Sequence, residues 1–485
     1  MHQLRKQRHQ LNQLQNQNND DIVLFAKAQK VYPRNVDGFF RRLKWWLIAV
    51  TLGIYYLAPF IRWDRGPHIP DQAILIDLPA RRAYFFAIEI WPQEVYYLVG
   101  ILVTAAILLF FATSLLGRVW CGYFCFQTVW TDLFIWAERF FQGERGARQR
   151  LHDGPWTTEK FLKISATHVT WIFIAFMTAG TFVLYFNDAP VLLDDFLNQR
   201  VSPMVLGFMT ALTFSTYLMA GFAREQVCTY MCPYARFQSA MFDPDTLVIG
   251  YDLVRGEPRG KHKKGEAFSD KGHCIDCQAC VQVCPMGIDI RDGLQIQCIA
   301  CGLCIDACDD IMDKMSLPRG LVRYDTERGL TESDKGHTKP RFIRPRTIYY
   351  AIVLTAILAL LTYGLLTRKP AELHVIHDRN PLFVQLSNGL INNGYDIKIL
   401  NKTHDVRNFA LDIEGIDNAS IEVEGAGNVS ANALPVAPDE VGHFHFFVKA
   451  ATQDVPSRDI VFTITDKVSG ITYKHDSVFM SGGTQ

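Results

Sequence analysis

Residues 274–308 read Cys274-Ile-Asp-Cys277-Gln-Ala-Cys280-Val-Gln-Val-Cys284-Pro-Met-Gly-Ile-Asp-Ile-Arg-Asp-Gly-Leu-Gln-Ile-Gln-Cys298-Ile-Ala-Cys301-Gly-Leu-Cys304-Ile-Asp-Ala-Cys308, so the spacing CxxCxxCxxxC occurs twice. A [4Fe-4S] cube takes four thiolates. In paired runs of this kind the three closely spaced cysteines wrap one cluster and the fourth reaches the other. The two runs therefore predict two [4Fe-4S] clusters with crossed ligand sets. Cys274, Cys277 and Cys280 join Cys308, and Cys298, Cys301 and Cys304 join Cys284. CxxC pairs also hold zinc, but two complete four-cysteine runs at such close range are not a zinc pattern. The first run ends in Cys284-Pro285 and the second in Cys308-Asp309, a difference that touches the local turn rather than the ligands.

The 485 residues carry 49 Lys and Arg against 49 Asp and Glu, and this balance excludes a nucleic-acid binder, which needs a basic excess to meet phosphate. Apolar runs of about the twenty residues needed to cross hydrocarbon cover residues 44–61, 95–116, 161–186, 201–222 and 347–366. Trp45, Trp46, Tyr55, Tyr56, Tyr96, Tyr97, Tyr349 and Tyr350 lie near their ends, as aromatic residues do at the surface of a lipid bilayer. An integral membrane protein follows. Lysine and arginine crowd the N-terminal arm (Arg5, Lys6, Arg8, Lys27, Lys30, Arg34, Arg41, Arg42) and the loop after the second run (Arg118, Arg139, Arg145, Arg148, Arg150). The loop around Asp188, Asp194 and Asp195 has only Arg200. The positive-inside rule then puts the arm and the cysteine-rich insert in the cytoplasm and the C-terminal part outside. Residues 126–141 carry Asp132, Glu138 and Arg139 and are expected as an amphipathic helix on the membrane surface. No cleavage pattern precedes the first run, which is expected to remain as an anchor.

From residue 371 the texture changes to short β-prone segments at 383–386, 397–400, 421–423, 443–448 and 460–465, parted by Asn, Gly, Asp and Pro. An immunoglobulin-type sandwich is expected there. The division is an arm (1–43), four transmembrane helices (44–242), a bacterial-type 2[4Fe-4S] ferredoxin module with charged, Gly- and Pro-rich tethers (243–346), a fifth transmembrane helix (347–367) and a β domain (371–485). The fold class is a multi-domain membrane protein: a helical bundle with an inserted ferredoxin module and an all-β tail.

Four cysteines fall outside the module, in the matching contexts Arg118-Val-Trp-Cys121-Gly-Tyr123-Phe-Cys125 and Arg224-Glu-Gln-Val-Cys228-Thr-Tyr230-Met-Cys232-Pro233. On a continuous helix such partners would share a face with Cβ atoms about 5–6 Å apart, too far for a disulfide. Each pair is therefore suited to a metal or to bridging to the other pair. Together they make a four-thiolate site, and thiolates select Cu(I), zinc or a further iron–sulfur cluster. Buried, inert thiols are the plain alternative. Arg118 and Arg224, if near, would lower the thiol pKa values. His168 lies inside the third apolar run at similar depth and is a candidate metal ligand or proton relay, although a lone intramembrane histidine more often bonds a neighbouring helix. The sequence has no Walker loop or dinucleotide fingerprint, so neither ATP hydrolysis nor NAD binding is supported.

The motifs His273-Cys274-Ile-Asp-Cys277, Cys304-Ile-Asp-Ala-Cys308-Asp-Asp-Ile-Met-Asp-Lys-Met, Tyr251-Asp-Leu-Val-Arg-Gly-Glu-Pro-Arg and Pro318-Arg-Gly-Leu-Val-Arg-Tyr-Asp, in this order between these helices, resemble the CcoG/FixG (RdxA) family of cytochrome c oxidase accessory proteins. The resemblance covers nearly the whole chain. It implies an inner-membrane protein of Gram-negative bacteria with cupric reductase activity, supplying Cu(I) for cbb3-type oxidase assembly. It also implies a cytoplasmic electron donor, and copper chaperones or oxidase assembly factors as partners. The family's membrane CxxxC pairs fall on Cys121, Cys125, Cys228 and Cys232, which would take copper. The first pair departs from a CxxxCP form because Phe126 follows Cys125. Two other functions fit the same parts: a general electron-transfer subunit linking quinol or a cytoplasmic donor to a periplasmic reductase, and a redox-sensing assembly scaffold.

Overall fold

Among the described residues, five helices are long and apolar enough to cross a membrane: Phe39–Phe60, Pro92–Leu116, Thr158–Leu184, Pro203–Met231 and Pro345–Leu366. The shortest have 22 residues, which at about 1.5 Å per residue gives about 33 Å, enough for a hydrocarbon core. The computed structural model describes residues 30–66, 69–262, 271–331, 341–423, 430–453 and 455–481. Arg5, Lys6, Arg8 and Lys27, used above for orientation, lie outside these residues. The chain divides into two compact units, one reaching to Leu358 and one from Ala359 onward.

The third and fourth spans pack on each other, and the fifth buries only Thr347. The fourth runs nine residues beyond the apolar stretch that the sequence marks. Its extension passes through two π-helical turns, Met219–Ala223 and Val227–Met231, with Arg224 at φ 38° and ψ −112° between them. A non-glycine residue in that region is strained, by about 1–3 kcal/mol, and persists only where its surroundings hold it.

The helix Phe126–Gln142 differs from its surface-bound expectation. Phe126 and Phe140 are exposed, while Asp132 and Glu138 are buried together with Val129, Phe134, Ile135 and Ala137. The physical reason is pairing. Asp132 accepts from Arg41 Nη1 at 2.8 and 3.0 Å and lies 3.5 Å from Lys44 Nζ, so the charges join the first span to this helix. Phe134 stacks on Trp171 of the third span at 5.1 Å, and the Trp171 indole donates to Phe134 O.

The segments expected as tethers also have structure. Leu247–Tyr251 pairs antiparallel with Val322–Thr326, closing the cysteine module at its base. The loop between the first two spans folds into a three-stranded sheet, Ile74–Asp77, Arg82–Phe85 and Ile88–Ile90.

The second unit is the expected immunoglobulin-type sandwich. One sheet orders Ser420–Val423, Val441–Ala451, Leu390–Asn401 and Ala371–His377, with Val384–Gln385 added to Leu390–Asn401. The other orders Leu434–Val436, Arg407–Glu414, Ser457–Asp466 and Thr472–Met480. Alternate residues from both sheets, among them Tyr395, Ile397, Phe409, Phe446, Phe462 and Phe479, fill the space between them.

Candidate functional site

The duplicated spacing is also a duplicated backbone. Asp276 and Gln278 have φ 54° and 56°, and Ala300 and Gly302, at the same offsets in the second run, have φ 51° and 76°. Left-handed residues alternating with right-handed ones turn successive N–H groups to one side, the concave form that cradles anions and clusters. The Ala300 N–H donates to Cys298 Sγ at 3.4 Å.

Two cavities follow from these loops. Cys274, Cys277, Cys280 and Cys308 line one, with Ile311, Met312 and Leu321. Cys284, Cys298, Cys301 and Cys304 line the other, with Ile249, Ile288 and Leu303, and Cys280 stands on the wall between the two. The thiols are buried or half-buried except Cys277, which is exposed. Burial pushes Cys280, Cys284 and Cys308 up to about 12 and Cys298 to about 11, and it raises Cys304 well above the ordinary thiol range. Bare thiols at these positions stay protonated at neutral pH, so a bound cation must take them as thiolates and release their protons. Apolar walls with four convergent thiols fit a [4Fe-4S] cluster in each cavity.

The cysteines outside the module do not sit on continuous helices. Cys121 is in the single turn Val119–Tyr123, and Cys125 is extended (φ −63°, ψ 125°) before the next helix. Cys228 is in the second π turn, and Cys232 is extended (φ −80°, ψ 111°) because Pro233 forbids helix at the residue before it. Each pair is bent rather than sharing a helix face. Cys228 is within electrostatic reach of Cys121, Cys125 and Cys232, and Cys125 of Cys232.

Cys121 abuts the second cavity. Cys121 packs with Ile299, Cys301, Leu303 and Ala307. Arg118 donates to Ile296 O, and Tyr123 Oη to Cys301 O at 3.0 Å. A Cβ on Gly122 would lie 2.7 Å from Ile299 O and 3.0 Å from Ala300 O, so only glycine lets the two chains approach. Gly122→Ala is expected to cost about 1–3 kcal/mol by overpacking, read as a lower thermal midpoint in detergent. An unchanged midpoint would remove the contact from the account.

Arg118 and Arg224 do not activate the thiols as the sequence suggests. Burial raises the Cys121 and Cys125 thiols, and Arg118 beside Cys121 only partly offsets it. The Arg224 guanidinium is taken by Glu138, with Nη2 to Oε1 at 2.6 Å, while Arg148 Nη1 reaches Oε2 at 3.0 Å and Lys30 Nζ lies 3.4 Å from Oε1. This cluster holds the strained turn that presents Cys228 and Cys232. His168 Nδ1 bonds Tyr217 Oη at 2.9 Å, and its ring stacks on Phe222 in a cavity of about 290 Å³ shared with Glu138, Trp171 and Arg224.

Sequence reasoning missed Asp306. Its carboxylate accepts from the Phe40 and Arg41 N–H groups at 3.1 and 2.7 Å, capping the first span in place of Gly38, which has no side chain to do so. An acidic residue at the start of a cluster-binding helix carries no signal of a partner 265 residues away.

Five apolar spans and two families of cysteine loops define a membrane-bound iron–sulfur protein of the electron-transfer class. Residues 223–327 match the family described as a 4Fe-4S dicluster domain, 98–147 a 4Fe-4S binding domain, and 361–482 the IG-like fold at the C-terminus of FixG, putative oxidoreductase. The chain is 46% identical to nitrogen fixation protein FixG of Rhizobium meliloti over 88% of its own length and 87% of that protein. It is 45% identical to protein RdxB of Cereibacter sphaeroides (95% and 98%) and 44% identical to protein RdxA of the same organism (90% and 92%). The chain belongs to the FixG family.

Proposed function

We propose that this protein is a cupric reductase that supplies Cu(I) for assembly of a cbb3-type cytochrome c oxidase. It lies in a bacterial inner membrane with the cysteine module in the cytoplasm and residues 371–485 in the periplasm, as the lysine and arginine distribution favours. Cys274, Cys277, Cys280 and Cys308 hold one [4Fe-4S] cluster, and Cys284, Cys298, Cys301 and Cys304 the other. Bound there, the clusters supply one-electron transfer. Cys277, the exposed thiol, marks the edge open to a cytoplasmic one-electron carrier. The observation that carries the reading is Cys121 packed against Cys301 and Ile299, with Cys125, Cys228 and Cys232 as its partners at the outlet where Cu(II) gains one electron and becomes Cu(I). Soft sulfur surroundings favour Cu(I), so its release needs a thiol-bearing recipient such as a copper chaperone or an oxidase assembly factor.

Serine variants at Cys121, Cys125, Cys228 and Cys232, with the module's iron retained, are expected to lose copper reduction by at least about tenfold. The readout is a chromogenic Cu(I) chelator under anaerobic conditions. Unchanged rates would remove the outlet. The cavity around His168, with its aromatic walls and ionisable groups, favours a second reading, a general electron-transfer subunit fed by a membrane quinol. Reduction of the clusters by a short-chain quinol, with no response to copper, would select it.

A further inference from the structure

We infer that Tyr123 and Tyr324 are positioning residues for the cluster of the second cavity. Their hydroxyls hold the backbone of Ala300 and Cys301 so that the neighbouring N–H groups face cluster sulfur, and this raises the potential of that cluster. The inference deepens the reading of the module as a one-electron path and rests on it.

The two hydroxyls come from distant parts of the chain. Tyr123 Oη donates to Cys301 O at 3.0 Å, and Tyr324 Oη donates to Ala300 O. The hydroxyls are within hydrogen-bond reach of each other, so they act as one clamp. Tyr123 is buried and ends the turn Val119–Tyr123, which also carries Cys121. Tyr324 lies on the strand Val322–Thr326, and its ring packs on that of Phe40 in the first span at 5.3 Å. Ala300 and Cys301 are themselves buried, where a carbonyl needs a partner from the protein.

A peptide unit is planar and trans, so its N–H points away from its C=O. With the oxygens of Ala300 and Cys301 fixed on the tyrosines, the N–H groups of Cys301 and Gly302 are turned to the opposite side. Both residues are buried, yet neither N–H meets an acceptor among the described residues. The N–H before them, that of Ala300, donates to Cys298 Sγ at 3.4 Å. Two further donors are thus left for the sulfur of a cluster held by the thiols of the second cavity. Ala300 keeps this form at φ 51°, a region that a residue with a side chain seldom adopts, and the clamp opposes its relaxation.

Hydrogen bonds to sulfur raise a cluster's potential because the donor dipoles stabilise the negative charge gained on reduction. The first run has the same left-handed backbone without the clamp. Asp276 and Cys277, at the positions equivalent to Ala300 and Cys301, are exposed, and no side chain bonds their carbonyls among the described residues. The first cluster is therefore an internal control for the second.

The test is a redox titration, followed by EPR, of the full chain purified anaerobically in detergent with about eight iron per chain. Tyr123→Phe/Tyr324→Phe keeps both rings and removes both hydroxyls. It is expected to move one midpoint, that of the cluster lost in Cys304→Ser, to more negative values by at least about 59 mV, a tenfold change in a one-electron equilibrium, and to leave the other in place. Tyr324→Phe alone keeps one anchor and should move the same midpoint in the same direction by less, which supplies the test if the double variant does not hold its iron. An unmoved second midpoint, a shift to more positive values or an equal shift of both clusters overturns the assignment, because loosened packing selects neither a direction nor a cluster. Failure here is separable from failure of the copper reading. A second midpoint that moves as expected, with copper reduction unchanged in the serine variants, leaves the clamp and removes the outlet. Unmoved midpoints, with copper reduction lost in those variants, leave the outlet and remove the clamp.

Discussion

Cys308→Ser is expected to empty the site formed by the other run. The iron lost, about four atoms per chain, should be that held by Cys274, Cys277 and Cys280, so its spectrum should match that of Cys274→Ser and differ from that of Cys304→Ser. Cys304 and Cys308 lie one turn apart on the helix Leu303–Lys314, yet the spacing assigns them to different clusters. The fold separates them. Cys304 faces the cavity with Leu303 and Ile299, and Cys308 faces the other with Ile311 and Met312. A serine oxygen is a harder and more weakly ionised donor than a thiolate and does not replace it on iron. Iron analysis with EPR of the reduced protein reads the result. A Cys308→Ser spectrum identical to that of Cys304→Ser would overturn the crossed assignment.

Glu138→Ala is expected to destabilise the membrane unit by about 3–5 kcal/mol, the cost of leaving buried cations without their partner. Arg148 is fully buried and Arg224 is 5% exposed; Arg224 spends both Nη groups on this carboxylate, and Arg148 gives it Nη1 while its Nη2 donates to Pro33 O. Burial alone would raise the Glu138 pKa, but Arg224, then Lys30 and Arg148, outweigh it and hold the group at about 2. A lowered folded-state value fixes the sign. The pairing stabilises fully above the ordinary carboxylate range and is lost as pH falls from about 4.5 toward 2. Thermal unfolding in detergent across that window should fall more steeply for the unsubstituted chain than for Glu138→Gln. Equal slopes would show that the carboxylate is not ionised in the fold. Loss of Glu138 also frees Arg224 from its strained turn, so the same variants should lose the outlying thiol site while keeping the module's iron. Replacing Glu138, Arg148 and Arg224 together by apolar residues should restore part of the stability but not the turn.

Much of this protein is legible in its cysteines because iron–sulfur ligation demands fixed residue types at fixed short spacings. The two runs carry their own backbone, down to left-handed residues at equal offsets. The apolar spans are legible for a similar reason, since hydrocarbon thickness sets their length. Charges are where reading by composition fails. Asp132, Glu138 and Arg224 look like the ends of membrane segments or the polar side of a surface helix, and they become the inside of the bundle once Arg41, Lys44, Arg148 and Lys30 arrive from elsewhere in the chain. The helix Phe126–Gln142 buries Asp132 and Glu138 along with Val129, Phe134, Ile135 and Ala137, so its inner face is apolar and charged at once.

By itself, then, the sequence determined the iron–sulfur module, the apolar spans and a β-sandwich tail, and predicted the crossed ligands, all features that local spacing and length encode. Only the tertiary structure decided where the four outlying thiols go. Their placement depends on two interrupted helices, on a strained arginine held by a distant glutamate, and on a glycine at residue 122 that lets Cys121 press against the second cluster loop. Those are contacts between segments about a hundred or more residues apart, and no local pattern records them.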